Sequence, residues 1–280
     1  MTMRSPRLSI IVPNYNYGRF FARLGTSLAN QVLGLDIFEL ILVDDGSTDD
    51  SLQQAGELGN LPFARVEVVE LEHTGKPGPV RNAGLKLARG QYLTCLDPDD
   101  LPAPEWLASC LCELDGHPEK HLAYTDYTHV EAGNCREVRL PEFNPALLAN
   151  QNILPPAAVF RREVWEASDG FRANTTYEDW DFWIQAADNG FAGSHLDRLL
   201  FAHMVHGDNF SFAACRDDAK AKAAIVLNNP GFFPAGVRHW ANGVVQGEPW
   251  AHAFPRGIIP LLEDVEKLLS LAGEIANNHR

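Results

Sequence analysis

A mainly parallel α/β sheet with helices on both faces is the fold this 280-residue chain predicts, and three observations predict it. Short apolar runs alternate four times with helix-periodic segments over the first hundred residues. Three of those runs end in polar punctuation, "PNYN", "DDGS" and "DPDD". A hydrophobic content of 45% with 21% charged residues describes a chain that buries a core. Repeated strand–helix alternation implies crossover helices covering both faces. Such sheets bind ligands outside the carboxyl ends of their strands. The three polar loops therefore fall on one edge, where one site can collect them.

Each element follows from local sequence. "LSIIV" (8–12) is a short β-branched run stopped by Pro13. Phe20, Leu24 and Leu28 then recur at helical spacing. "FELILV" (38–43) is a second strand, stopped by "DDGSTDD", where Ser47, Thr48, Asp49 and Asp50 offer N-caps for a helix through Leu58. "ARVEVVEL" is a third strand. "GPVRNAGLKLA" is a helix with Val80, Ala83, Gly84 and Leu87 on one face. "QYLTCL" is a fourth strand, after which Pro102 and Pro104 open a helix through Leu114. Beyond about residue 120, "HLAYTDYTHV" and "REVRL" read as antiparallel strands forming a small second sheet. "LPPAAVFRREVW" reads as a strand running into a helix, and "YEDWDFWIQAADNG" as a helix ended by Gly190. "SHLDRLLFAHMVH" is one more strand. Helices are expected at 216–227 and, amphipathic, near 259–276.

Composition removes several functions. The net charge is −14 and no basic block is present, so the footprint for nucleic-acid phosphates is missing. The cysteines Cys95, Cys110, Cys112, Cys135 and Cys215 are odd in number and lack CxxC spacing, which predicts reduced thiols in a cytoplasmic setting. Cys110 and Cys112 read as packing residues on a helix. "MTMRSPRLSIIVPNYN" is no signal peptide, and no run reaches the ~18 apolar residues of a membrane span. Peripheral membrane contact stays open. No G-x-G-x-x-G, Walker A or G-x-S-x-G pattern occurs.

Carboxylates carry the chemistry. In "DPDD", like charges ~5 Å apart repel by roughly 3 kcal/mol at an effective dielectric near 20. Asp97 and Asp99 can converge on one hard divalent cation, with Asp100 capping the following helix; an acidic turn with a cap is the competing reading. Asp44 and Asp45 end a strand on the same edge and can accept from the N–H and O–H groups of a base and ribose. Arg81 falls in the first turn of its helix, where dipole and guanidinium both favour an anion, unless it is a plain solvated arginine. Trp180, Trp183, Ile184 and Ala187 mark the buried face of the "YEDWDFW" helix, leaving Asp181, Gln185 and Asp188 on a solvated one. Asp179 can point inward as a general base, although Glu178 and Asp179 also fit an N-cap. His203 and His206 sit three apart on a strand and face opposite sides, so at most one reaches the site.

In this order and spacing, "LSIIVPNYNYGRF", "LILVDDGSTDDS", "VRNAGLKLARGQYLTCLDPDDLPAPEWL", "YEDWDFWIQAADNGF" and "HMVHGDNFS" resemble the inverting family 2 glycosyltransferases of the Rossmann-like GT-A fold, over roughly residues 7–212. The resemblance implies that Pro13, Tyr15, Asp44, Asp45, Arg81 and Asp97 bind the nucleotide. It implies that Asp97 and Asp99 form the DxD motif holding Mn²⁺ or Mg²⁺, with His206 near the metal, and that Asp179 is the base. Where the family often has "YRxH" this chain has "HMVH", so the tyrosine and arginine are missing. Acceptor contacts are expected from Trp180, Glu178 and Asn152.

The expected organisation is a glycosyltransferase domain over 1–215, with a nucleotide-binding half of about 1–100 and an acceptor half of about 101–215. A C-terminal helical extension, 216–280, packs on it. The implied reaction moves a sugar from a nucleotide-sugar donor, a UDP-sugar above others, to a hydroxyl of a glycan or lipid-linked glycan in cell-surface polysaccharide synthesis. The setting is the cytoplasm, with the inner membrane face and a homodimer through the C-terminal helices left open. Trp240, Trp250 and Phe254 are the tail residues for a dimer, an acceptor cover or membrane contact. A non-catalytic sugar-nucleotide-binding protein is the alternative; it predicts loss of Asp97, Asp99 or Asp179, and all three are present. A nucleotidyltransferase needs a Gly-rich basic first loop, which "VPNYNYGRF" is not.

Overall fold

The computed structural model describes residues 5–155, 157–207, 217–252 and 254–278. The expected boundary at 215/216, residue Cys215 and the first residue of the helix expected from 216 lie outside them. The described chain divides into two compact units. One comprises Met1–Phe143, Leu154–Phe171 and Phe191–Gly207; the other comprises Asn144–Ile153, Arg172–Gly190 and Asp208–Arg280.

The first unit carries the sheet. Strands β1 (Leu8–Asn14), β2 (Phe38–Asp44), β3 (Arg65–Glu70), β4 (Tyr92–Cys95), β5 (Leu101–Pro102), β6 (Leu122–Glu131), β7 (Asn134–Val138), β8 (Val159–Arg161) and β9 (Gly193–Val205) follow in chain order. Across the sheet the order is β3-β2-β1-β4-β8-β6-β9-β5, with β7 hairpinned onto β6. The pairs β1–β2, β1–β4, β2–β3 and β6–β9 are parallel, whereas β8 is antiparallel to both β4 and β6. Among the described residues the antiparallel strands are thus not a separate second sheet. They continue the first, because β8 bridges β4 and β6.

Both faces of β1 and β2 are covered, which is why these two strands are buried along their whole length. Leu8, Ile10 and Val12 pack with Phe21, Leu24 and Leu28 of α1 (Phe21–Ala29), Ala55 and Leu58 of α2 (Ser51–Leu58), and Trp106, Leu107 and Leu111 of α4 (Trp106–Gly116). Ile11 points to the opposite face, as the two-residue period requires. There α3 (Pro77–Leu87) approaches so closely that a Cβ on Gly84 would lie 2.6 Å from Ile11 Cγ2 and 3.0 Å from Val43 Cγ2.

Two boundaries differ from expectation. Residues 101–102 form β5, antiparallel to β9, and α4 starts only at Trp106. Pro102 lacks an N–H and is tolerated on this edge strand. Helix α3 begins at Pro77, which puts Arg81 in its second turn rather than its first.

Beside the short α6 (Arg162–Glu166) of the first unit, the remaining helices belong to the second: α5 (Pro145–Asn150), α7 (Glu178–Asp188), α8 (Asp218–Asn228), α9 (Ala235–Gln246) and α10 (Leu262–Asn278). Helix α7 ends before Gly190 at φ 80°, the left-handed stop its glycine predicts. Trp240 is fully buried and donates from Nε1 to the Ala251 carbonyl at 2.8 Å. It is therefore core, not a membrane or dimer contact. Asp181 and Gln185 are buried too, which corrects the expected solvated face. Arg172 Nη1 reaches both Asp181 oxygens at 3.2 Å, and Asn229 Nδ2, just after α8, donates at 2.8 Å. Burial raises the Asp181 carboxyl above its ordinary range. Among the described residues no helix is long and apolar enough to cross a membrane.

Candidate active site

The carboxyl ends of β1, β2 and β4 lie together, with Asn14 beside Asp44 and Ile11 beside Cys95 in register. Beyond β4 the chain turns at 97–100, the Asp100 amide donating to the Asp97 carbonyl at 3.2 Å. The three acids of this turn go to different partners. Asp97 is one-third exposed and accepts from Arg81 Nη2 at 3.1 Å. Asp99 is 3% exposed, with His206 Nε2 2.9 Å from its Oδ2. Asp100 is fully buried; its Oδ1 accepts from the Met204 amide at 3.0 Å and lies 2.9 Å from His203 Nδ1.

The electrostatics follow from this packing. Burial, then the charges of Asp100 and Asp97, pushes the Asp99 carboxyl up to about 7. Burial opposes charge on His203, but the bond to Asp100 and that aspartate's charge outweigh it and raise the imidazole. Asp100 is thus structural, as expected, but ties the turn to β9 instead of capping α4. Both histidines reach the turn. β9 ends at Val205, so the two-residue alternation does not extend to His206. The His206 ring is stacked against Phe20 at 5.2 Å and tilted against Tyr17 at 5.4 Å. Arg81 is nearly buried, its guanidinium 5.6 Å from the Phe171 ring centroid, so it is not a solvated helix arginine.

The second group on this edge is built around the β2 end. Asp44 accepts from Asn14 Nδ2 and Ser47 Oγ, each at 2.6 Å, and from the Ser47 amide at 2.9 Å. Asp45 accepts from the Thr74 amide at 2.8 Å and the Gly75 amide at 3.0 Å, and His73 Nδ1 lies 3.0 Å from its Oδ2. Both acids organise loops at this edge. Tyr15, 41% exposed, stacks on His73 with ring centroids 4.0 Å apart and 22° between planes. Pro13 sits buried in β1 opposite Val43. His73 is the residue the motif reading missed. Its signal was its place in "HTGKPG", just past the carboxyl end of β3 and hence on the ligand edge.

In the second unit, Asp179 is half-buried in the first turn of α7. Its Oδ1 accepts from the Trp180 amide at 2.8 Å and its Oδ2 from Asn152 Nδ2 at 3.1 Å. It does not cap the helix; Tyr177 holds the N-cap position. Glu178 is buried. Trp180 is 1% exposed and donates from Nε1 to the Leu148 carbonyl at 2.8 Å. The packing that fixes it leaves no open ring face for a sugar, which corrects its expected acceptor role.

No group of three or more His, Cys, Asp or Glu stands at metal-holding distance among the described residues. The donor set still fits a hard divalent ion. Such ions are often held by one or two carboxylates, with substrate phosphates and water completing the shell. Asp97 and Asp99 would supply the carboxylates, and a buried acid raised by its neighbours is what a cation would return to its ionised form.

Residues 9–153 match the sequence profile of glycosyl transferase family 2. The chain belongs to that family. The family 2 chain is 29% identical to the chondroitin synthase of Pasteurella multocida over 230 residues, covering 80% of this chain but 23% of that protein. It therefore spans about a quarter of that curated relative. Its fold is GT-A: the crystal structure of S. aureus TarS 1–349 in complex with UDP-GlcNAc superposes with a TM-score of 0.67 at 24% identity, covering 79% of this chain and 64% of that one. The mannosyltransferase PcManGT from Pyrobaculum calidifontis in complex with GDP-Man and Mn²⁺ gives 0.64 at 20% identity, covering 97% and 76%.

Proposed function

We propose that this chain is an inverting glycosyltransferase that moves a sugar from a nucleotide-sugar, a UDP-sugar above others, to an acceptor hydroxyl in cell-surface glycan synthesis. The observation that carries the reading is the turn after β4. Asp97 on Arg81 and Asp99 on His206 form an acidic, partly buried pair at the ligand edge of a parallel sheet. The TarS structure with UDP-GlcNAc and the chondroitin synthase likeness support a UDP-sugar and a polysaccharide product. Under this reading the acceptor is a glycan or lipid-linked glycan met at the cytoplasmic membrane face, and two copies associate through the C-terminal helices.

In this reading Asp45 and Tyr15, with His73, receive the nucleoside, and Asp97 its ribose. Asp97 and Asp99, with His206 on Asp99, would hold Mn²⁺ or Mg²⁺, which when bound would supply Lewis-acid charge to the departing diphosphate. Arg81 adds positive charge at the same turn. Asp179 accepts the proton of the acceptor hydroxyl as that oxygen bonds to the anomeric carbon. The bond from that carbon to the diphosphate oxygen breaks, and its electron pair leaves with the nucleoside diphosphate. The Trp180 amide and Asn152 keep the Asp179 carboxylate oriented. Single displacement converts an α-linked donor into a β-linked product.

The test is Mn²⁺-dependent turnover of UDP-, GDP- and dTDP-sugars. Asp179→Asn is expected to abolish turnover while UDP binding persists, and Asp99→Ala to remove the gain in UDP affinity that Mn²⁺ provides. Retained turnover in Asp179→Asn would sink the choice of base. UDP binding indifferent to Mn²⁺ would sink the metal assignment.

A further inference from the structure

The C-terminal helices grip the segment that carries Asp179. Tyr177, the residue from which α7 starts, donates its hydroxyl to Asp218 Oδ1 at 2.7 Å. Asp218 opens α8 and is itself held from two other directions. Lys222 Nζ, on a lysine only 1% exposed, lies 2.7 Å from its Oδ2, and the Gly257 amide donates to Oδ1 at 2.9 Å. The same ammonium donates to the Pro255 carbonyl at 2.7 Å. Two residues before Tyr177, the Thr175 hydroxyl donates to the Ala221 carbonyl at 3.0 Å and accepts from the Tyr177 amide at 3.1 Å. The partner of Asp179 is tied to the same region: two residues before Asn152, the Asn150 carbonyl accepts from the Ile259 amide at 2.8 Å and its Nδ2 donates to the Ile259 carbonyl at 2.7 Å.

Burying the Lys222 ammonium against a half-buried carboxylate is costly in desolvation. Well-packed apolar residues would hold α8 in place without that cost, so the pair needs a reason beyond cohesion. We propose that Asp218, clamped by Lys222, is a positioning residue for Asp179, acting through the Tyr177 hydroxyl. Three tethers on one carboxylate fix where Tyr177 stands. Tyr177 fixes where α7 begins, and Asp179 lies two residues further on. A base must meet its proton within hydrogen-bond reach, and a displacement of ~1 Å at such a group can cost on the order of a hundredfold in rate. Burial, then the bond to Asp218, pushes the Tyr177 phenol up to about 12, so it stays a donor throughout the working pH range. The inference rests on Asp179 being the base, and it assigns the C-terminal helices a part in catalysis.

The test uses the full chain and the fastest-turned-over member of the UDP-, GDP- and dTDP-sugar panel, with UDP as the binding probe. Tyr177→Phe removes one hydroxyl and keeps the ring; Asp218→Asn keeps an acceptor and releases the lysine. Both are expected to lower kcat at least about tenfold, with the donor KM and the UDP Kd unchanged. Adding Tyr177→Phe to Asp179→Asn is expected to cause no further loss, because the hydroxyl acts only through that carboxylate. Wild-type kcat in Tyr177→Phe, with Asp179→Asn inactive, overturns the positioning role and leaves the base intact. Active Asp179→Asn overturns both. UDP affinity that falls in parallel with kcat shows a general loss of structure and also overturns the proposal.

Discussion

Replacing Asp100 by alanine should loosen the whole ligand-edge turn, and the cost can be built from its partners. The Met204 amide donates to the fully buried Asp100 at Oδ1, a hydrogen bond to a charged group worth about 1.5–3 kcal/mol. His203 loses a charge-assisted bond worth about 1.5–3 kcal/mol. The two share one carboxylate and are not fully additive. The expected loss is therefore about 3–5 kcal/mol, the range for breaking a buried charged pair. Asp100→Asn keeps Oδ1 for the amide. Its new NH₂ group takes the place of Oδ2, which has no hydrogen-bond partner among the described residues, so the expected cost is about 1–2 kcal/mol. Urea unfolding at pH 7 measures both; tryptophan emission reports it through Trp106, buried against Phe201 at 5.4 Å in the same unit. UDP affinity in Mn²⁺ should fall about 10- to 100-fold in the alanine variant, as for residues that orient ligating groups, and much less in the asparagine variant. An alanine variant within 1 kcal/mol of the parent, or an asparagine variant as costly as alanine, would refute this account.

Trp180→Ala should cost about 3–5 kcal/mol in urea unfolding, because it empties a fully packed site. Trp180→Phe, which mainly loses the bond to Leu148, should cost about 1–2 kcal/mol. Tyr15→Ala should leave the unfolding midpoint unchanged, since the ring is exposed, yet weaken UDP binding roughly tenfold in calorimetry through lost base stacking. Burial favours the neutral form of Asp218, but Lys222, the Gly257 amide and Tyr177 outweigh it and depress the carboxyl below its ordinary range. A depressed acid contributes stability that is present above the unfolded carboxyl pKa and lost as pH falls through the folded one. The stability gap between the parent and Asp218→Asn should accordingly be full at pH 6–7 and close below about pH 4 in paired urea titrations; a gap independent of pH would contradict it.

Local chemistry made some of this legible and long-range packing hid the rest. β1 and β2 are readable because both their faces are buried, which makes them continuous apolar runs. β5 is not, since two residues, one of them proline, become a strand only when β9 arrives from a hundred residues away. Asp181 reads as solvated on its own helix; the residues that bury it, Arg172 and Asn229, lie outside that helix. Arg81 and Asp97 are each readable as charged, but their pairing depends on α3 packing against Ile11 of β1 and Val43 of β2. Trp180 shows two sequence signals in conflict. Its helical periodicity marked it as core, its aromatic ring suggested a sugar platform, and the periodicity was right.

The pairing of β5 with β9 also has a bearing on how the molecule is made. Contacts between Asp100 and residues 203 and 204 span 103 and 104 positions, whereas β1 meets β2 across about 30. Closing the longer loop costs more chain entropy before any contact rewards it. The ligand-edge turn is therefore expected to acquire its final shape late in folding, after the first three strands have assembled. It should also be among the first parts of the unit to open. Native-state hydrogen exchange would register this as a Met204 amide opening at lower free energy than those of Ile10 and Leu40; equal protection at all three would rule it out. Completion of the ligand-edge turn would then coincide with completion of the sheet, and a chain released early would hold its first three strands and an unfinished edge.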